Sequence, residues 1–479
     1  MMSEEVPAQL EYSLQAAADC IAAFATPPGQ SALAVLRISG EIAPQIVDRL
    51  FRPGRNFKPA SKLAGYTMSY GYWHDVSGQL LDEVVIAAFR APNSYTGENL
   101  IEVSCHGGYA ARQAILDSIL ALGVSPADAG EFSRRAFMNG KLDLSQAEAV
   151  MDMIAAVSKT QGKLALAQRR GAIRKTIEEL SEALYRALAK LEMVLEFADS
   201  EGFTAGDELD REMAEAADKM AEVLSGYRQG RVIREGFKVV IAGRSNAGKS
   251  SLLNALLGED RAIVTNISGT TRDTLDAFFD LDGIPISLTD TAGFRDADNP
   301  VEQEGIKRAK QALDDADLIL RVLNPDFSEE HLAAEFKALD ELIAAGREVV
   351  LLLGKDDLSW PPELLAELER RFPDLRKQAY SKYDQDLLAA VRELIREKYE
   401  SLAPAEHGDV LLSNSRQKRC LERTAELLDE ARATRAAALP LEITASCLRS
   451  AIDLLAEITG ENVSEELVEQ IFSRFCVGK

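Results

Sequence analysis

Residues 239–250, VVIAGRSNAGKS, join an apolar run to a glycine-rich turn and a Lys-Ser pair. The β-branched start predicts a buried strand, and SLLNALLG after the turn predicts a helix. Gly243, four variable positions, then Gly248, Lys249 and Ser250 have the spacing of a phosphate-binding P-loop. In such a loop, helix-start amides and the lysine bind phosphate oxygens, and the serine hydroxyl ligates Mg²⁺. The stretch therefore predicts a nucleotide-binding α/β domain.

Two further phosphate-facing motifs follow in the sequence. DTAG closes an apolar strand, so Asp290 would hold the magnesium shell and the Gly293 amide would sense the γ-phosphate. SGTTRD lies between, and its Thr271 is the natural second Mg²⁺ ligand beside Ser250. The order of the three motifs resembles the translation-factor-related GTPases and not the ATPases, and it disfavours glycine turns that merely join strands. The predicted nucleotide-binding residues in these motifs are Gly243, Asn246, Ala247, Gly248, Lys249, Ser250, Ser251, Thr265, Thr270, Thr271, Asp290, Thr291, Ala292 and Gly293.

The base-recognition motif departs from that pattern. Such GTPases carry Asn-Lys-x-Asp after the next strand, whereas LLLGKDD supplies Gly354, Lys355, Asp356 and Asp357. Asp357 can still accept hydrogen bonds from the guanine edge, and the stem of Lys355 can cover the ring. Because the asparagine tether is missing, we expect a looser base loop and weaker nucleotide affinity. The later loop YSKYDQD would offer a backbone amide to the base near Ser381.

Length and composition predict a soluble multidomain protein. A chain of 479 residues predicts two to four domains, and 46% hydrophobic with 27% charged residues is typical of globular proteins. The acidic N-terminus lacks signal-peptide features, and no apolar run has the length of a membrane span, so we expect a cytoplasmic location without membrane contact. Five scattered cysteines indicate a reducing compartment, and the lone Cys105-His106 dipeptide does not indicate a metal site.

The net charge of −23 argues against general electrostatic coating of nucleic acid. Two local basic patches could still hold a phosphate backbone: RRGAIRK at 169–175 and SRQKR at 415–419. For either patch alone, a solvated helix face is the simpler interpretation.

Changes of pattern along the chain predict its organisation. Residues 1–135 contain the strand-like runs AVLRISG, EVVIAAF and LIEVSC and one helix, which indicates a small α/β domain. Residues 136–230 are amphipathic and helical, as are residues 402–479. Strand-helix alternation over residues 231–401 predicts a mostly parallel sheet. The economical architecture is a phosphate-binding domain inserted between two segments of one helical domain.

Hydrolysis needs a group that orients the attacking water. Ras-like enzymes place a glutamine just after DxxG, but Phe294 holds that position here and cannot polarise water. By default, most charged groups in this segment are solvated surface residues. The candidates among them are Arg295, Asp296, Asp298, Glu302 and Glu304.

Motifs along nearly the full chain resemble the MnmE (TrmE) family of tRNA-modification GTPases. They are GRSNAGKSS, TNISGTTRD, DTAGFRDADNPVEQEGI, DCIAAFATPPGQSALAVLRISG, TGENLIEVSCHGG, GEFSRRAFMNGKLDLSQAEA and the terminal FCVGK. The tail and LDLSQAEA are the specific elements, because many GTPases share the others. The resemblance implies an N-terminal α/β fold like that of folate-binding domains, which would also dimerise.

The resemblance further implies K⁺-dependent hydrolysis by a homodimer whose G domains meet across their nucleotide faces. Asn246, Thr265, Ile267 and Thr270 would coordinate K⁺ where other systems place an arginine finger, and Glu302 would orient the water. An amide oxygen in the P-loop suits a bridging cation. A loop residue that bonds its own backbone is the bland alternative for Asn246.

The family pattern also implies a site for a tetrahydrofolate derivative, in its 5-formyl or 5,10-methylene form. The matching positions are Arg37, Glu102, Lys141 and the C-terminal Lys479. A carboxylate suits the guanine-like edge of a pterin, and a cation suits its glutamate tail. Taken singly, Arg37 and Glu102 would be strand-end surface charges. Cys476 is either a small buried group or, through the FCVGK match, a catalytic thiol.

The resulting hypothesis is a GTPase that acts with an FAD-containing partner of the MnmG type, in a heterotetramer. It would install an aminomethyl-type (carboxymethylaminomethyl) group on C5 of the wobble uridine of certain tRNAs. The rival is a ribosome-assembly GTPase that binds RNA without modifying it. Such proteins usually append a compact basic domain, and the acidic helical flanks here weaken that alternative.

Overall fold

The computed structural model describes residues 17–196, 207–244, 247–257, 276–290, 310–325, 329–354, 360–381, 383–403 and 412–478. The chain divides into two units. The first holds the described residues up to Met151 and those from Thr459 onward, and the second runs from Asp152 to Ile458.

The first unit is built on a seven-stranded sheet. Its strands are β1 (Ile21–Phe24), β2 (Leu33–Ser39), β3 (Phe51–Pro53), β4 (Thr67–His74), β5 (Leu80–Phe89), β6 (Leu100–His106) and β7 (Ser125–Pro126). Their order is β3-β4-β5-β6-β2-β1-β7, with β7 parallel to β1 and the other neighbours antiparallel. Helices α1 (Ala43–Leu50) and α2 (Tyr109–Leu120) cover one face. Alternate residues of β2, Ala34, Leu36 and Ile38, are buried beneath them.

The C-terminal segment packs on further helices of the first unit. These are α3 (Glu131–Met138), α4 (Leu144–Ala155) and α15 (Glu465–Phe472). Phe137, Phe472 and Phe475 form an aromatic cluster between α3 and the tail. Gly130 has a φ of +68°, and a Cβ there would stand 2.5 Å from the Phe472 carbonyl oxygen. The tail therefore approaches the start of α3 closely because that residue is glycine.

The second unit contains a layer of amphipathic helices. They are α5 (Lys159–Arg169), α6 (Ala172–Glu196), α7 (Asp207–Ser225), α8 (Tyr227–Glu235), α13 (Ser415–Ala436) and α14 (Leu441–Thr459). Helix α6 buries Ile173, Ile177, Leu180 and Leu184 at helical spacing against α7 and α13. The Asn414 side chain accepts a hydrogen bond from the Arg416 amide and so caps α13.

The same unit contains a six-stranded sheet. Its strands are β8 (Phe237–Ala242), β9 (Asp276–Leu281), β10 (Ile284–Asp290), β11 (Leu318–Leu323), β12 (Val349–Leu353) and β13 (Lys377–Ala379), in the order β13-β12-β11-β8-β10-β9. Only β9, among the described strands of this sheet, runs antiparallel to its neighbour. The helices beside it are α9 (Lys249–Leu257), α10 (Glu329–Ala344), α11 (Pro362–Arg371) and α12 (Gln385–Leu402). The predicted mostly parallel sheet is therefore confirmed.

The strand order positions the nucleotide motif. β8 lies between β10 and β11, so the chain leaves its carboxyl end where the connections diverge to opposite sides. Open α/β sheets bind ligands at such a point. The α/β and helical character of the chain is confirmed, whereas the bounds at 135, 230 and 401 and the insertion remain predictions. Among the described helices, none has the length and apolar composition of a membrane span.

Candidate functional site

The P-loop lysine is the best-defined element of the nucleotide site. Lys249 begins α9 and is only 4% exposed. Its Nζ donates hydrogen bonds to the carbonyl oxygens of Gly243 and Arg244, both at 2.8 Å. These carbonyls offset part of the cost of burying the ammonium group. The loop thus holds a positive charge at a helix N-terminus, where phosphate binds.

Two glycines shape this loop. Gly243 has a φ of +146°, and a Cβ there would stand 2.4 Å from the Val322 carbonyl oxygen of β11. Gly248 has a φ of +101° with open space around the position of a Cβ. Gly243 is therefore required by a close backbone approach, and Gly248 by backbone conformation alone.

The remaining described residues of the motif surround the helix start. Ala247 is buried, Ser250 is exposed at the second position of α9, and Ser251 is half-buried. Ser381 is 6% exposed directly after Tyr380, whose amide donates to the Leu353 carbonyl of β12 at 2.8 Å. Tyr380 packs in the same core as Ala247. The predicted base loop thus begins beside the core that supports the P-loop.

Gly354 lies against the P-loop and β11. Its amide donates to the Leu323 carbonyl at 2.7 Å. A Cβ at this position would stand 3.0 Å from that oxygen, 3.4 Å from the Val322 side chain and 3.6 Å from the Ala247 carbonyl. A side chain at position 354 would therefore face the P-loop. An asparagine there could link the base loop to the P-loop, and glycine cannot.

Many predicted nucleotide and cation ligands lie outside the described residues. β10 ends at Asp290 as DTAG predicts, but the Asp290 side chain also lies outside the description. The roles of these residues stay predictions. They are Asn246, Thr265, Ile267, Thr270, Thr271, Thr291, Ala292, Gly293, Phe294, Arg295, Asp296, Asp298, Glu302, Glu304, Lys355, Asp356, Asp357 and Lys479.

A second cluster forms on the face of the first sheet opposite α1 and α2. Arg37 of β2 and Glu102 of β6 are register partners. Arg37 Nε and Nη2 both donate to Glu102 Oε1, at 3.1 and 2.7 Å. Their side chains are 13% and 26% exposed, so the interpretation as strand-end surface charges is wrong. The guanidinium also lies 5.2 Å from the Tyr95 ring centroid and 5.5 Å from that of Phe132, within cation–π range.

The C-terminal tail reaches this pair through its backbone. Arg37 Nη1 donates to the Gly478 carbonyl at 3.5 Å. Gly478 has a φ of +91°, and a Cβ there would stand 2.2 Å from the Phe24 carbonyl oxygen. The Cys476 carbonyl accepts from the Gly130 amide at 3.4 Å. The structure therefore brings Arg37, Glu102 and the tail together, whereas Lys141 is exposed.

The cysteines differ in accessibility. Cys20, Cys105, Cys420 and Cys447 are buried, and Cys476 is exposed. Burial raises the pKa of the Cys20, Cys105 and Cys420 thiols to about 11, so these groups are protonated at neutral pH. The expectation of a buried group is therefore wrong for Cys476.

The His106 side chain lies on the opposite face of the sheet from Cys105. His106 is 67% exposed, and its Nδ1 lies 2.6 Å from Asp82 Oδ1. The hydrogen bond to Asp82 and its negative charge raise the pKa of His106. Because adjacent strand residues face opposite sides, Cys105 and His106 cannot bind one ion together.

Sequence reasoning missed an arginine that holds the end of β1 and the loop after it. Arg112 of α2 donates to the carbonyls of Pro27 and Gly29, at 2.8 and 3.3 Å. Its guanidinium lies 4.5 Å from the ring centroid of Phe24, the residue whose carbonyl adjoins Gly478. A single arginine on a predicted helix carries no motif, so its role became visible only in the fold.

Comparisons with known proteins cover nearly the whole chain. Residues 144–476 match the family model of the MnmE helical domain, and residues 20–141 match that of the GTP-binding protein TrmE N-terminus. A protein of Chlorobium phaeobacteroides named tRNA modification GTPase MnmE is 38% identical over 465 residues, which are 96% of this chain and 97% of the relative. Its namesake in Geobacillus kaustophilus is 39% identical over 96% of this chain and 99% of the relative.

Solved structures match a smaller part. A variant of Aquifex aeolicus Era bound to GDP·AlF4⁻ is 22% identical, with a TM-score of 0.27, and the match covers 40% of this chain and 65% of that one. The G domain of the T. maritima FeoB iron transporter is 26% identical, with a TM-score of 0.25, over 33% of this chain and 96% of the other. TM-scores this low do not decide a fold.

Proposed function

Because the chain belongs to the MnmE (TrmE) family, we propose that its GTP hydrolysis drives addition of a carboxymethylaminomethyl-type group to C5 of the wobble uridine of certain tRNAs. The chain is a GTP hydrolase that acts in tRNA modification. The chemical group, the position on the tRNA and the donors are the proposed part.

The buried Lys249 carries the GTPase part of the proposal. Its ammonium group is held in the loop by two carbonyls and would attract the β- and γ-phosphates of GTP. The exposed Ser250 hydroxyl at the start of α9 is a hard oxygen donor that fits Mg²⁺. When bound, Mg²⁺ neutralises charge on the phosphates. The dependence on K⁺ and the role of Glu302 are supported by the resemblance of their motifs alone.

Arg37 and Glu102 support the folate part of the proposal. Glu102 offers a carboxylate to the donor edge of a pterin, and the Arg37 guanidinium and the Tyr95 ring offer a charged and a flat surface beside it. A tetrahydrofolate derivative would supply the one-carbon unit. The exposed Cys476 lies two residues before Gly478, whose carbonyl accepts a hydrogen bond from Arg37. A Cys476→Ser protein that modified tRNA at the wild-type rate would exclude the thiol from the reaction.

We further propose a homodimer and an FAD-containing partner of the MnmG type, which would supply the redox equivalents. The sheet face opposite α1 and α2 supports the homodimer. On it Leu33, Met68 and Val85 are exposed by 63%, 69% and 37%, on the same face as the Arg37 and Glu102 pair. Exposed apolar surface of this kind favours association with a second copy.

The rival proposal, a ribosome-assembly GTPase, predicts RNA binding without covalent chemistry. It gives no role to a half-buried arginine-carboxylate pair beside an ordered tail. The named relatives also favour tRNA modification. Binding of 5-formyltetrahydrofolate to the full chain distinguishes the two, because the rival has no need of a folate.

The first experiment measures turnover of GTP and of ATP with K⁺ or Na⁺ as the only monovalent cation. We expect hydrolysis of GTP alone and strong dependence on K⁺. Equal rates in Na⁺ would refute the cation site, and equal use of ATP would refute guanine selection. Mass spectrometry of the wobble uridine, after incubation with the flavoprotein partner, GTP and the folate, tests the modification itself.

A further inference from the structure

The start of the helical layer is basic, although the chain as a whole is acidic. Residues 153–177 contain six Lys or Arg and no Asp or Glu, in a protein with a net charge of −23. Helix α5 lies within this stretch and buries Gln161, Ala165 and Gln168. Lys159, Lys163 and Arg170 are spaced by four and seven residues and are exposed. The spacing puts the three cations on one outward stripe.

The fold adds the second basic patch of the sequence to this stripe. Gln168 Nε2 donates to Ser413 Oγ at 2.9 Å in a buried hydrogen bond, just ahead of the patch at 415–419. Helix α8 packs on the same segment at Gly230, and the approach is so close that a Cβ there would stand 2.2 Å from the Leu412 carbonyl oxygen. Two segments about 240 residues apart along the chain therefore meet at one junction.

Five cations at this junction lack a carboxylate partner among the described residues. They form no salt bridge with any residue that the structure describes, all five are exposed, and we name them together the basic junction: Lys159, Lys163, Arg170, Arg228 and Arg419. Elsewhere on these helices cations are neutralised by ion pairs. Examples are Arg174 with Glu178, Lys190 with Glu212, Arg423 with Glu426, Arg435 with Asp210 and Arg449 with Glu192.

We propose that the basic junction binds the phosphodiester backbone of the tRNA. The inference rests on the proposed function, in which tRNA is the substrate, and adds where on this chain the RNA docks. On the other helices of this layer the exposed cations are paired with carboxylates, so the solubility of a helix face does not explain the unpaired cations of the basic junction. Cations without a carboxylate partner are available to phosphates, and the counterions released from the RNA favour binding.

The position of α5 fits a substrate that is sensed by the GTPase sheet. Thr160 Oγ1 donates to the Gly283 carbonyl at 3.2 Å, in the turn between β9 and β10. Gln161 Nε2 donates to the Arg234 carbonyl at the end of α8, directly before β8. RNA bound to the outward stripe would thus rest on a helix whose inward side is bonded to the nucleotide-binding sheet.

The test reverses three charges in the full-length protein, Lys163→Glu, Arg170→Glu and Arg419→Glu. A control with Arg186→Glu, Arg211→Glu and Arg432→Glu changes the net charge equally at exposed positions of α6, α7 and α13. Fluorescence anisotropy of labelled tRNA is measured over a salt series. We expect roughly tenfold or weaker affinity at low salt, and a salt slope shallower by about one per lost phosphate contact, for the first variant alone.

Three outcomes would count against this assignment in different ways. Wild-type affinity in the junction variant overturns the inference and leaves the proposed function intact. Equal losses in both variants assign the effect to net charge and also overturn it. Loss of flavoprotein binding with unchanged tRNA binding would make the junction a protein interface. If the wild-type protein binds no tRNA, the proposed function itself fails. GTP turnover without tRNA should be equal in all three proteins.

Discussion

Replacing Gly478 by alanine should displace the C-terminal tail from its position beside β1 and Arg37, called here the seated position, without unfolding the protein. The residue has a φ of +91°, which costs an alanine about 1–2 kcal/mol. The new Cβ would also stand 2.2 Å from the Phe24 carbonyl oxygen, so the tail has to move away from β1. With about 2 kcal/mol against it, the ratio of seated to unseated tail falls roughly thirtyfold. When the tail leaves the seated position, the hydrogen bond from Arg37 to the Gly478 carbonyl is lost.

Gly78→Ala is a matched control. Gly78 has a φ of +90°, equal within a degree to that of Gly478, but nothing lies within 4 Å of the position of a Cβ. Both variants carry the same conformational penalty, and only Gly478→Ala adds the collision. The assay is the rate of tRNA modification with the flavoprotein partner, alongside GTP turnover and thermal unfolding.

We expect Gly478→Ala to lower modification at least tenfold, with GTP turnover and the unfolding temperature near wild type. Gly78→Ala should lower the unfolding temperature slightly and leave modification unchanged. If Gly478→Ala modified tRNA as fast as Gly78→Ala, the seated tail would have no part in the reaction. A parallel fall in GTP turnover would point to a general structural defect instead.

Three other predictions concern the base loop, the folate pair and pH. Gly354→Asn should bind GDP about threefold to tenfold more tightly than Gly354→Ala. Both side chains crowd β11, but only the asparagine side-chain amide can form a hydrogen bond with the P-loop. Equal GDP affinities of the two variants in a nucleotide titration would contradict this. Glu102→Gln should weaken the binding of 5-formyltetrahydrofolate, measured by calorimetry, about tenfold, because it removes the negative charge that orients Arg37. GTP turnover should be unchanged. An unchanged folate affinity would exclude the Glu102 carboxylate from the folate site. The pKa of His106 is raised in the folded protein, so its protonation stabilises the fold fully below the ordinary pKa of 6.5, and this stabilisation is lost as the pH rises through the folded-state pKa. His106→Gln should therefore flatten the pH dependence of the thermal unfolding temperature above about pH 6.5. Parallel curves for the variant and the wild type would show that the contact with Asp82 contributes nothing.

The P-loop sheet was predictable because its strands are buried on both faces. VVLLL of β12 and the apolar run of β8 are short and rich in β-branched residues, as buried strands are, and the helical segments between the strands predict their parallel order. Strand β4 was missed for the opposite reason. Its buried face carries Ser69 and Gly71 beside Trp73, while Tyr70 and Tyr72 lie on the more exposed face. Hydrophobic alternation there predicts the wrong face.

The two sites differ in how far sequence could predict them. Lys249 lies where the motif places it, because a P-loop is local in sequence and its geometry follows from a few bonds. The pairing of Arg37 with Glu102 depends on the register of β2 and β6, which no spacing within either strand determines. Only the family resemblance led to that pair. The junction of two basic patches likewise required the buried bond between Gln168 and Ser413.

The tail explains why so short a motif as FCVGK is specific. Phe475 is buried against Phe472, and Gly478 is required by its backbone approach to β1. Cys476 and Val477 are held through main-chain atoms, namely the Cys476 carbonyl and the backbone pairing of Val477 with Ala129. The side chains of Cys476 and Val477 are exposed and contribute little to packing. The fold thus accounts for phenylalanine and glycine in the motif but leaves the thiol without a structural role, which favours a chemical one.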